Sequence, residues 1–95
     1  MGSRIESKQQ IDQLKGEGVR KFLFFMPPEL WIGNSPGENH ENILAESGKE
    51  KENVAVAGLI GYLFDNFQIR GGGSSSLEIG PHNTKPVVEF VESLT

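Results

Sequence analysis

The longest apolar stretch in the chain is Asn53–Phe67, NVAVAGLIGYLFDNF. Within it Val56, Leu59, Ile60, Leu63, Phe64 and Phe67 recur at i, i+3, i+4, i+7, i+8 and i+11, the spacing of one broad stripe on a 3.6-residue period. That spacing predicts a long core helix. Ala57, Gly58 and Gly61 lie off the stripe, and each glycine would cost roughly 0.5–1 kcal/mol in a helix interior. A sequence that accepts two of them is expected to need another backbone close by, either its own sheet or the same helix of a second copy.

The rest of the pattern is shorter. Val19–Met26 (VRKFLFFM) carries the continuous apolar run Phe22-Leu23-Phe24-Phe25-Met26, which predicts a strand buried on both faces and central in its sheet. Pro27-Pro28 ends it, because proline cannot donate to a ladder. Glu29–Gly33 (ELWIG) reads as a second short strand. Upstream, Ser7–Lys15 reads as a short helix, with Ser7 and Gln10 spaced as a capping box and Ile11 and Leu14 inward. Asn34–Asn42 is a loop by composition. Ile43-Leu44-Ala45 fits one helical turn, and Ser47–Glu52 is charged and exposed.

Beyond the long segment, Gln68–Arg70 is extended and Ser76–Ile79 reads as a strand, the two forming a hairpin across Gly71-Gly72-Gly73-Ser74-Ser75. Lys85–Leu94 has Val87, Phe90, Val91 and Leu94 at helical spacing, with Pro86 suited to a first turn. A helix is favoured there over an edge strand. The expected fold is therefore α+β: a single-domain two-layer sandwich in the order α-β-(β)-α-β-β-α. A three- or four-stranded sheet is covered by one long helix. Residues 1–6 are polar and read as disordered or as a tag remnant.

Composition narrows the function classes. Ninety-five residues, 36% hydrophobic and 23% charged, suit one domain with its own core. The absence of cysteine excludes disulfides and thiolate chemistry. A formal net charge of −4 with no basic run argues against nucleic acid. No segment reads as a signal peptide or a membrane span, so the expectation is a cytoplasmic protein without membrane contact.

Three groups of residues could carry chemistry. Arg70, Gly71, Gly72, Gly73, Ser74 and Ser75 combine a cation, free backbone N–H groups and hydroxyls, a set suited to a small anion; the run also reads as a plain flexible linker. His40 and His82 lie in turn-like loops. His82-Asn83-Thr84 resembles one half of the paired His-x-Thr signature of the two-histidine phosphoesterases. His40-Glu41-Asn42 lacks the hydroxyl residue that the second half needs, and the resemblance covers three residues. It implies acid–base phosphoester chemistry as the alternative function. Glu38, His40 and Glu41 have ligand types but no fourth partner, so no metal is assigned and no cofactor is expected. Finally, Trp31 after Pro27-Pro28 is an interface candidate, together with Gly58 and Gly61. The reading that gathers most of these features is a non-enzymatic binding module for a protein segment or a small anionic ligand, with a homo-oligomer left open by the two glycines.

Overall fold

A computed structural model describes residues 2–16, 18–71 and 83–94. It corrects the expected architecture. Asn53–Phe67 is not a helix, and no long helix covers the sheet. Val54–Leu63 forms strand β4, and Asn66–Gly71 forms β5. With β1 (Gly2–Ile5), β2 (Arg20–Phe25) and β3 (Glu29–Gly33) they make a five-stranded antiparallel sheet in the order β1-β3-β2-β4-β5. Three short helices flank it: α1 (Lys8–Asp12), α2 (His40–Ser47) and α3 (Lys85–Leu94).

The cause of the error lies in the spacing itself. Four is an even number, so Val56 and Ile60, or Leu59 and Leu63, share a face in a strand as well as in a helix. What differs is the i+3 and i+7 members. In the structure Val56 and Ile60 are buried, while Leu63 is 50% exposed and Phe64 is 90% exposed. The segment is rich in β-branched and aromatic residues, and in a strand its glycines admit close neighbours, the β5 backbone at Gly58 and Val19 at Gly61. The Val56–Phe67 stripe does not pack onto β2. Instead β4 pairs with β2 edge to edge, Phe22 opposite Gly58 and Leu23 opposite Ala57.

Other elements follow the sequence closely. The Phe22–Phe25 run makes β2, which lies in the middle of the sheet and is buried on both faces. Ser7 caps α1 with the reciprocal Gln10 contact of a capping box. Lys85–Leu94 is helical and buries Val87 and Val91. The amino-terminal residues, expected to be a disordered leader or a remnant, are β1, paired with β3 from Gly2–Gly33 to Ile5–Leu30. The predicted strand Ser76–Ile79 lies outside the described residues.

Alternation along β2 divides the interior in two. Phe22 and Phe24 point to one face, where Ile5, Leu30, Ile32, Val56 and Ile60 meet Ile11 and Leu14 of the α1 region and Val87 and Val91 of α3. Phe24 and Phe90 add an edge-to-face contact at 5.9 Å. Leu23 and Phe25 point to the other face, where Val54 and Ala57 meet Ile43 of α2. The sheet therefore has helices on both sides, three layers instead of two.

The second face is only partly covered. Helix α2 rests on β1, β3 and β2. It reaches β4 at Ala57 and Gly58, but over residues 59–63 of β4 and over β5 no described helix follows it. Among the described residues that leaves the outer part of this sheet face open, and β5, at the end of the strand order, is exposed along most of its length.

Candidate functional site

The open half-face ends in a tight hairpin. Leu63 pairs with Asn66, so the connection is the two residues Phe64 and Asp65. Both have positive φ, 54° and 62°. A two-residue loop with two left-handed positions is the type I′ geometry, which matches the twist of the strands and normally takes Asn-Gly. A phenylalanine in that conformation is uncommon, and each left-handed non-glycine residue costs roughly 1–2 kcal/mol. Burial does not offset this cost, since Phe64 is 90% exposed. On the opposite side of the hairpin Tyr62 and Phe67 hold the strands together, ring centres 4.9 Å apart, and Lys15 lies 5.1 Å from the Tyr62 ring centre.

Below Phe64, on the open face, runs a groove of about 290 Å³. Val19, Leu59, Leu63 and Phe64 supply most of its apolar wall, and Gln68 and Arg70 close it on the β5 side. Val19 is 46% exposed. Among the described residues of the lining Arg70 is the one with a charge, and none is a carboxylate. Asp65 lines a different hollow, of about 420 Å³, on the opposite face. Charges of both signs surround that second hollow, and Asp12 and Lys15 pair there at 3.4 Å.

The sequence candidates fall in different places. Arg70 and Gly71 end β5, Arg70 exposed on the groove side. Gly72, Gly73, Ser74, Ser75 and His82, and with them most of the anion loop and one of the two histidines, lie outside the described residues. His40 is not in a loop. It is the first residue of α2, behind the Asn39 cap, and it is 1% exposed. Its Nε2 lies 3.0 Å from the Gly58 carbonyl oxygen. A carbonyl only accepts, so Nε2 carries the proton and donates. Among the described residues no group of three His, Asp or Glu side chains could hold a metal.

The interface candidates have structural surroundings of their own. Trp31 is half-buried in β3, opposite Leu23 and Arg4, against the smaller core cluster. Gly58 faces the β5 backbone: a Cβ there would overlap the Arg70 carbonyl oxygen and come within 3.0 Å of Gly71 Cα. A Cβ on Gly61 would meet the Val19 side chain at 3.2 Å. Close backbone approach does occur at Gly58, within the sheet of one chain.

A separate charged cluster ties the far edge. Glu29 pairs with Arg4 at 3.3 Å and with Lys49 at 3.1 Å. Burial alone would raise its pKa, but the Lys49 hydrogen bond and the two positive charges outweigh that and hold the carboxyl below its usual range.

The sequence reading missed the hairpin tip. The signal was there in Asp65-Asn66, turn residues followed by the alternation Phe67-Gln68-Ile69-Arg70. No helix among the described residues is long and apolar enough to cross a membrane. Comparison of the chain with protein-family models, with curated proteins and with solved structures gave no match.

Proposed function

We propose that this chain is a non-enzymatic interaction module whose binding surface is the β4–β5 hairpin and the groove beside it, and that its partner is a segment of another protein. The observation that carries the reading is Phe64. A large apolar side chain held at positive φ, 90% exposed, and set at the lip of an apolar groove is unfavourable for folding on two counts. Covering it with a partner recovers apolar burial, and exposed apolar sets of this kind mark interaction sites. A small anionic ligand is the weaker fit, because among the described residues of a mostly apolar lining Arg70 is the single cation. The phosphoester alternative is weakened by the burial of His40, which a substrate cannot reach without opening the α2–β4 contact.

The test is a selection of random peptides displayed on phage, with the protein as bait. Clones that bind the wild type are counter-screened on a Leu63→Ser, Phe64→Asn double variant whose fold is checked by circular dichroism. The expected result is a set of peptides that bind the wild type and not the variant. If no sequence is enriched, or if the enriched clones bind both proteins equally, the module reading is wrong.

A further inference from the structure

We infer that the partner segment adds to β5 as a sixth strand, and that it is an amphipathic extended peptide with apolar residues on one face and carboxylates on the other. This rests on the hairpin being the binding surface: Phe64 and the groove are covered by partner residues beyond the added strand, and the strand itself narrows what the β5 side recognises.

The first argument is the backbone. In a hairpin closed by a two-residue loop the pair next to the loop exchanges both hydrogen bonds, and bonded pairs then alternate. With Leu63 opposite Asn66, Gly61 opposite Gln68 and Leu59 opposite Arg70, the N–H and C=O groups of Asn66, Gln68 and Arg70 point at β4. Those of Phe67, Ile69 and Gly71 point the other way. Among the described residues no strand pairs with that outer edge. A row of extended backbone groups with no partner among the described residues is a template for strand addition.

The second argument is the side chains on each face. Phe67 and Ile69 pack against the larger core but are only partly buried, and no described strand lies beside them. A new strand would place apolar residues opposite them and extend that core. On the other face Gln68 and Arg70 are exposed, and Lys21 lies on the same face opposite Leu59. Among the described residues no carboxylate shares the groove with Arg70. A residue directly across from it in a new strand would bring its Cβ within about 5 Å, where opposite charges attract and like charges repel. An alternating apolar–acidic sequence satisfies both faces at once, and its charge opposes that of Arg70 and Lys21.

The experiment uses the full chain and three capped, fluorescein-labelled decapeptides. One alternates Val and Glu, one alternates Val and Lys, and one has the Val/Glu composition in two blocks. Binding is read by fluorescence anisotropy, and amide hydrogen exchange of the protein is followed by NMR. The Val/Glu alternating peptide should bind saturably and the block peptide should not. Arg70→Glu should weaken the Val/Glu peptide by at least about fivefold and strengthen the Val/Lys peptide. On binding, the amides of Phe67, Ile69 and Gly71 should become protected, while those of Gln68 and Arg70, already bonded to β4, should change little. Equal binding of alternating and block peptides, or protection confined to the groove with none at Phe67, Ile69 and Gly71, overturns strand addition. Peptides recovered from the display selection that bind through Phe64 but show neither the alternation nor the Arg70 dependence would leave the module reading standing and remove this one. An empty selection removes both.

Discussion

Gly58 allows the sheet geometry to be tested by adding one carbon atom. In Gly58→Ala the new Cβ overlaps the Arg70 carbonyl oxygen and lies 2.9 Å from its carbon and 3.0 Å from Gly71 Cα. All three atoms are backbone, so no rotamer change relieves the contact, and β5 must move away from β4. Forcing one extra carbon into a filled site costs about 1–3 kcal/mol. The substitution also recovers part of the roughly 0.5–1 kcal/mol that glycine loses in a strand. A backbone clash belongs near the top of the overpacking range, which leaves a net loss of about 2 kcal/mol. For a chain of this size that lowers Tm by about 8–16 °C. Gly61→Ala is the internal control. Its tightest contact is Val19 Cγ2 at 3.2 Å, on a side chain 46% exposed that can give way, and Val19 Cα at 3.5 Å is an ordinary van der Waals neighbour. That variant should stay within about 0.5 kcal/mol of wild type. Thermal and urea melts followed by far-UV circular dichroism measure both. A Gly58→Ala protein melting within 3 °C of wild type, on the order of half a kcal/mol, would refute the close β4–β5 approach. So would a Gly61→Ala protein less stable than Gly58→Ala.

Three further outcomes are expected. Replacing Phe64-Asp65 by Asn-Gly, the pair that type I′ turns favour, should stabilise the chain by about 1–2 kcal/mol in the same melts; peptide binding should fall, and a stabilised variant that binds unchanged would remove Phe64 from the site. His40→Gln should cost about 1–3 kcal/mol, because the Gly58 carbonyl and the buried α2 terminus lose a matched donor; a neutral result in urea titration would mean that the contact does not form. Glu29 is held below its usual pKa when folded, so its contribution to stability is present above the unfolded value and is lost as pH falls through the folded one. Melting temperatures measured from neutral pH down through the carboxylate range should therefore fall, and Glu29→Gln should lower the neutral-pH Tm while flattening that fall; parallel pH curves for the two proteins would contradict the assignment.

How far the sequence could be read depended on whether one period could be told from another. Phe22–Phe25 was legible because a five-residue apolar run ended by Pro27-Pro28 is too short for a buried helix and long enough for a central strand. Ser7 and Gln10 were legible because a cap is a local bonding problem with a local solution. β4 was not, since a strand apolar on both faces has no alternation to show, and its i+4 coincidences satisfy a helix equally well. Once that segment was read as a helix, Phe64 became a core residue in the expectation, whereas it is the most exposed large apolar residue described. The binding surface was hidden by the same step. By sequence Arg70 goes with the glycine run that follows it, while across the sheet it pairs with Leu59 and lines one groove with Leu63 and Phe64, which precede it across the turn. His40 looked like a loop residue because its capping neighbour Asn39 also reads as loop, and nothing in the local sequence announces that β4 lies 3.0 Å from its ring.

The order β1-β3-β2-β4-β5 has a consequence for how the chain can be divided. Strands β2 and β3 adjoin in sequence and in space, as do β4 and β5, and the β2–β4 seam alone joins the two pairs within the sheet. The exposed loop around Pro36-Gly37 lies between the pairs. Cleavage there would leave two pieces, one ending in β3 and the other beginning with α2, each carrying half of a common hydrogen-bonded edge. Phe22, Leu23 and Phe24 on one side, and Val56, Ala57 and Gly58 on the other, are the complementary surfaces by which two such fragments would find each other and rebuild the sheet, as a split reporter does.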